Sequence, residues 1–234
     1  MAKTNLPSER SSSREVDAFL AKAARVPALS QVKGRLIFAI DATMSRQPTW
    51  DRAANIQSDM FAVADGLGGL AMQLVYFRGL NEFQASEWTT SSSALAERMQ
   101  RVTCSSGATQ LCRVLSHSAA EARRTKVGAL VYVGDCFEES ADAAATEAAK
   151  LALLGVPAFL FHEGYEPSAE ATFREIARIT HGVYARFDAG AAKQLRELLT
   201  AAAVYATGGA LALKNYGERV GGEVLRLSQG MGKK

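Results

Sequence analysis

The sequence predicts an α/β fold in three layers, with helices on both faces of a mostly parallel central sheet and one antiparallel edge strand. Short, continuous apolar runs rich in Val, Ile and Phe alternate along the chain with longer stretches whose apolar residues recur every three or four positions. Strands that are apolar on both sides and joined by crossover helices build a parallel sheet, since a tight turn cannot connect parallel neighbours. One stretch departs from this pattern. "EFQASEW" (82–88) is short, more polar and alternating, as an edge strand with a solvated side is.

Residues 1–15 are Ser-rich, charged and poor in apolar side chains, the composition of a disordered segment. "REVDAFLAKAARVP" then carries Val16, Phe19, Leu20 and Ala23 at helical spacing, with Pro27 after its end. Residues 1–33 therefore read as a disordered start plus one short amphipathic helix, and 34–206 as the main domain. Its first strand is "RLIFAI" (35–40). A helix over 49–70 follows, with Trp50, Ala53, Ile56, Met60, Phe61 and Ala64 on its pattern and glycines at its stop. "AMQLVYFRG" (71–79) is the second strand, ahead of the edge strand.

"SSSALAERMQRV" opens on hydroxyl caps and reads as a helix. "ATQLCRVLSHSAAEARR" (108–124) is a stronger one, with Leu111, Val114, Leu115 and Ala119 on one face. "VGALVYVGD" (127–135) is a buried strand that ends, like the first, in an aspartate. A helix (139–154), a strand "VPAFLF" (156–161), a helix "AEATFREIARIT" (169–180), a strand "GVYARF" (182–187) and a helix from about 189 complete the series. Residues 207–234, with two Gly pairs and a basic end, read as a short helix and tail outside the core.

Bulk properties narrow the function classes. Net charge is +3 with the basic residues scattered, which gives no footprint for nucleic acid. No apolar stretch approaches the ~18 residues that span a bilayer, and the polar start lacks the apolar region of a secretory signal. Three cysteines without a CxxC pair argue against a disulfide framework, so the expectation is a cytoplasmic protein with reduced thiols.

Open parallel sheets bind ligands at the carboxyl ends of their strands, near the point where strand order reverses. Asp41 and Asp135 each follow a buried strand directly. "DATMS" adds hydroxyls at Thr43 and Ser45, and "SSGATQL" presents Thr109 where a helix opens. Taken singly, Asp41 and Thr43 are ordinary helix-capping types. Two acidic strand ends with three hydroxyls at matching places ask for more than capping.

Together, "IFAIDATMS", "SSGATQL", "VYVGDCFEE" and "IARITHGVYARF" resemble a von Willebrand factor type A domain over about residues 34–205. The resemblance implies the Rossmann-like fold of that family and its metal-ion-dependent adhesion site. Asp41, Thr43 and Ser45 match the family's Asp-x-Ser/Thr-x-Ser loop, Thr109 its distant threonine and Asp135 its later aspartate. Thr43 stands for the usual middle serine and keeps the hydroxyl, Ala108 replaces a glycine, and His181 occupies another glycine position. Hydroxyls and carboxylates are hard oxygen ligands suited to Mg²⁺, or to Mn²⁺ or Ca²⁺. By resemblance, the ion's open position takes a Glu or Asp carboxylate from a protein partner, with no nucleic acid or membrane involved. The implied chain is a cytoplasmic, bacterial-type binding domain and not an enzyme.

The enzymatic alternative is a haloacid-dehalogenase-like Mg²⁺-dependent phosphatase. Asp41 would be its nucleophile, Asp135 and Glu139 of "GDCFEE" would hold the ion, and Lys126 would be its lysine. Most such phosphatases need a second acid two residues after the nucleophile, where Thr43 stands. Cys104, Cys112, Cys136 and His117 have no regular metal spacing and read as inert semi-buried groups. His162 and His181 fall at element ends and read as surface groups. Trp50 and Trp88 are candidates for the rim of the site.

Overall fold

The computed structural model of the chain describes residues 34–46, 70–187, 192–222, 224 and 228–229. The expected N-terminal helix and all but the last residue of the 49–70 helix lie outside the described residues. Strands are β1 (Gly34–Asp41), β2 (Leu70–Arg78), β3 (Glu82–Ala85), β4 (Ala129–Gly134), β5 (Ala158–Glu163) and β6 (Val183–Phe187). Helices are α1 (Ser92–Gln100), α2 (Leu111–Arg124), α3 (Ala141–Leu153), α4 (Pro167–Ile179) and α5 (Ala192–Val220), with a 3₁₀ turn at Met44–Arg46. The six strands lie in the order β3-β2-β1-β4-β5-β6. All neighbours are parallel except β2 and β3.

Alternation along β1 sets the three layers. Leu36, Phe38 and Ile40 face a core shared with α1 and α5, while Ile37 and Ala39 face one shared with α2, α3 and α4. Successive strand side chains point to opposite faces, so a strand covered on both sides must be apolar throughout. Ser91 caps α1, Ser140 caps α3, and Glu166 with Pro167 opens α4.

At the end of α4 the Gly182 amide donates to the Ala177 carbonyl at 2.8 Å, and His181 adopts φ 55°. The left-handed helix end that usually takes glycine is thus held by a histidine, at a steric cost of order 1 kcal/mol.

Two expectations are corrected. β5 extends through His162 and Glu163 instead of stopping at Phe161, because its pairing with β6 continues to Glu163↔Phe187. The chain after 206 is not outside the core: α5 continues to Val220, kinked at Gly209 (φ 68°, ψ −165°), and Leu213 and Val224 are buried with the α1/α5 layer. Only glycine tolerates that backbone conformation, so the first of the two Gly pairs makes a bend within α5. Among the described residues, no helix is long and apolar enough to cross a membrane.

Candidate functional site

The strand order reverses between β1 and β4, and their register pairs Ile40 with Val133. Asp41 and Asp135 therefore end adjacent strands at the carboxyl edge of the sheet, where a switch point opens a crevice. Beyond Asp41 the chain stays extended for two residues. The Ala42 amide donates to the Phe77 carbonyl at 3.0 Å, the Ala42 carbonyl accepts from the Ser105 amide at 3.1 Å, and Thr43 bridges to Ser105. The 3₁₀ turn then folds the chain back, with the Arg46 amide on the Thr43 carbonyl at 3.1 Å. Asp41 Oδ1 accepts from the Thr43 amide at 2.8 Å, the self-closing turn that Asp side chains favour. The hydroxyls of Thr43 and Ser45 lie 3.1 Å apart, so the alternate positions of "DATMS" do face one place. Thr43 is buried and Ser45 exposed.

Thr109 comes from the other loop, two residues ahead of α2, and is buried. Its hydroxyl accepts from the Glu138 amide at 3.0 Å while its own amide donates to Glu138 Oε2 at 3.3 Å. Gln110, at the cap position of α2, makes no side-chain cap. Glu139 supplies it instead, taking the amides of Leu111 and Cys112. A carboxylate at a helix N-terminus satisfies free amides and meets the positive end of the dipole. The loop after β4 thus fixes Thr109 relative to Asp135, which is four residues before Glu139 in the chain.

Gly107 holds the loop from the other side, since a Cβ there would stand 1.9 Å from the Gly79 carbonyl oxygen. Ala108 needs no unusual backbone, because His181 is the only non-glycine residue with positive φ among those described. Gly107→Ala is expected to push the Thr109 loop off the turn after β2 and to destabilise the fold by about 1–3 kcal/mol, the scale of overpacking. Urea unfolding checks this, and unchanged stability would contradict it.

The electrostatics of the crevice favour a cation. Asp41 is fully buried, and its Oδ2, like Asp135 Oδ1, has no hydrogen-bond partner. Burial pushes the Asp41 carboxyl up to about 6, against hydrogen bonds from Thr43 and the nearby Arg46 guanidinium, with Asp135 adding to the rise. The fully buried Tyr132 hydroxyl, also unpartnered, is raised well above its ordinary value by burial first and then by Asp41. Buried polar atoms are normally paired, so two orphaned carboxylate oxygens where adjacent strands end are matched by a positively charged ligand. The donor set consists of oxygens only, and it fits a hard divalent ion.

No protein-family model matches the sequence, and no curated protein does. Solved structures do match in fold. The SpRpn10 VWA domain superposes with a TM-score of 0.55 at 14% identity, covering 73% of this chain and 94% of that one. The chain has the fold of a von Willebrand factor type A domain. Proximal thread matrix protein 1 from the mussel byssus matches with a TM-score of 0.56 at 16% identity, over 72% of this chain and 45% of that one. Another structure of that mussel protein is described as having a zinc-occupied MIDAS motif, and it matches at 0.55 and 16% over 74% of this chain and 47% of that one. The pilus adhesin SpaC from Lactobacillus rhamnosus GG, in its open conformation, matches at 0.58 and 12%, over 73% of this chain and 29% of that one. The chain thus spans less than half the length of the mussel protein and less than a third of the adhesin.

Around this crevice stand groups that sequence reasoning missed. Arg46 is fully buried, donating from Nε and Nη2 to Glu163 Oε2 at 3.1 and 2.7 Å and from Nη1 to the Val133 and Asp41 carbonyls at 3.1 and 3.4 Å. It clamps the ends of β1, β4 and β5 together directly behind the site. An arginine in a Ser-containing turn reads as solvated, and only the polar end of the β5 run hinted at a partner. His162, expected at the surface, is buried between the Tyr184 hydroxyl (3.0 Å) and the Asp135 carbonyl (3.2 Å).

Other expectations fall away. Trp88 does not rim the crevice. It stacks 3.6 Å from Arg35, at the start of β1, and donates to Glu121 at 2.7 Å. Trp50 lies outside the described residues. Cys136 and Cys112 are pushed up to about 11 and about 12, chiefly by burial, which keeps both thiols protonated and unreactive. His117 pairs with Gln73 at 2.9 Å, away from the crevice. The phosphatase alternative loses two of its groups. Glu139 is committed to capping α2, and Lys126 shares a groove with Gly34 at the amino ends of the strands, about 20–30 Å of extended chain from Asp41.

Proposed function

We propose that this type A domain binds a protein partner through a divalent cation, Mg²⁺ or Mn²⁺ with Ca²⁺ as a further candidate. The observation that carries the reading is the pair of buried, unpartnered carboxylate oxygens, Asp41 Oδ2 and Asp135 Oδ1, where adjacent strands end, with the Thr43 and Ser45 hydroxyls 3.1 Å from each other in the loop after Asp41. Thr43, Ser45 and Thr109 would ligate through oxygen, while Asp41 and Asp135 would touch the ion or orient its water. Neutral hydroxyls leave such an ion electron-poor, so it seeks a further anionic ligand, and a Glu or Asp side chain of another protein supplies one. The role is binding and not catalysis. Three free cysteines in the fold suit a reducing compartment, and we assign the domain to the cytoplasm on that ground.

Immobilised protein is expected to retain a partner in Mg²⁺ or Mn²⁺ and to release it in EDTA. Ser45→Ala should abolish the metal-dependent fraction, and because Ser45 is exposed the variant keeps its fold. Retention that is indifferent to both EDTA and Ser45→Ala would overturn the proposal.

A further inference from the structure

Among the described residues, four buried side-chain oxygens lack a hydrogen-bond partner, and three of them belong to the ends of β1 and β4: Asp41 Oδ2, Asp135 Oδ1 and the Tyr132 hydroxyl. The cation reading gives the two carboxylates a use and the hydroxyl none. Buried tyrosine hydroxyls ordinarily find a partner, and a phenylalanine would fill nearly the same volume without stranding an oxygen.

Contacts fix where this hydroxyl stands. Tyr132 pairs with Ala39 across β4 and β1, and both face the layer of α2, α3 and α4. Asp41 lies two residues beyond Ala39, so its side chain leaves the same face. A Cβ on Gly134 would stand 2.5 Å from the Tyr132 hydroxyl. The hydroxyl therefore lies over Gly134, one step past the Ile40–Val133 pair and level with Asp41. From the other side of β1, Phe77 pairs with Asp41 and stacks on Tyr132, with ring centroids 6.4 Å and planes 13° apart. Phe173 meets the Tyr132 ring edge-on at 5.4 Å. Held by both rings, Tyr132 cannot swing its hydroxyl to another partner. After burial itself, Asp41 is the group that acts on this hydroxyl most strongly, ahead of Arg46 and Asp135.

Resting on the cation-dependent reading above, we propose that Tyr132 is a positioning residue of the cation site, its hydroxyl donating to a water that in turn donates to Asp41 Oδ2. Neither atom has a direct partner, so the two lie beyond hydrogen-bond reach of each other, and a single water is the shortest link between them. Carboxylates at metal sites are oriented by hydrogen bonds of this kind, and losing one costs about 10–100-fold in metal affinity. The hydroxyl acts through Asp41 and not on the ion.

The test is Tyr132→Phe, which removes the oxygen and keeps the ring, compared with the native chain by calorimetric titration of Mn²⁺ and by urea unfolding in EDTA. Mn²⁺ affinity is expected to fall at least about ten-fold. The unfolding midpoint in EDTA should stay at or above the native value, since the lost hydroxyl has no protein partner. Unchanged Mn²⁺ affinity would overturn the inference and leave the cation reading standing. So would a lower midpoint in EDTA, which would make the hydroxyl a structural group of the core. If the native chain itself takes up no Mn²⁺, the cation reading fails and the inference fails with it.

Discussion

Arg46→Met is expected to lower the free energy of unfolding by about 3–5 kcal/mol, the loss typical of removing one partner from a buried ion pair. Arg46 is fully buried and Glu163 nearly so, and the guanidinium also satisfies the Val133 and Asp41 carbonyls. Methionine matches the length of the aliphatic stem but leaves the Glu163 carboxylate without its cation. Urea unfolding measures the loss. The double variant Arg46→Met, Glu163→Met should recover most of it, because replacing both charges removes the desolvation penalty along with the attraction. A single-variant loss below about 1 kcal/mol, the range of exposed pairs, would show that the pair does not clamp the sheet as described. The clamp matters for function because it lies directly behind the crevice, and its positive charge partly offsets the burial of Asp41.

A second large effect concerns pH. The Asp41 carboxyl is pushed up to about 6 in the fold, mainly by burial, from an ordinary value of 3.8. A raised value favours the protonated form, so the contribution to stability is fully present below about 3.8 and is lost as pH rises through about 6. The gap corresponds to about 3 kcal/mol. Without a divalent cation, Asp41→Asn should therefore be more stable than the native chain by about that amount at pH 7 and nearly equal to it at pH 4. Taking the difference between the two proteins removes the background of all other carboxylates. Saturating Mg²⁺ should reverse the order at pH 7, since the ion favours the ionised carboxylate. A difference that stays flat between pH 4 and 7 without metal would contradict the account of Asp41.

The same residue shows why a binding site and a stable fold pull apart. Asp41 and Asp135 leave oxygens unpaired in the interior. An asparagine or a hydrophobic residue would suit the isolated domain better. Local features that oppose stability are where function is expected to reside.

Much of this was legible in the sequence because burial on both faces writes itself as continuous apolar runs. β1 and β4 could be placed that way, and with them the two aspartates that follow directly. The spacing of "DATMS" gave the alternate hydroxyls, and the Gly-containing loop ahead of α2 gave Thr109. What stayed hidden depends on partners distant in the chain. Arg46 meets Glu163 across 117 positions, and no local pattern distinguishes it from a solvated turn arginine. Glu139 reads as part of an acidic motif until Leu111 and Cys112 are seen to need a cap. His162 belongs to β5 because β4 and β6 both pair with it, and the Tyr184 hydroxyl meets its ring. The two Gly pairs suggest a short helix and tail outside the core, whereas the burial of Leu213 carries α5 past the first pair.

The most direct test of the central claim is calorimetric titration of Mn²⁺ into the native chain and Asp41→Asn, paired with unfolding curves. One ion per native chain is expected. At about 100 times the dissociation constant it should stabilise the fold by about 2.7 kcal/mol, with neither effect in Asp41→Asn. No saturable binding to the native chain, or binding that Asp41→Asn leaves unchanged, would contradict the account.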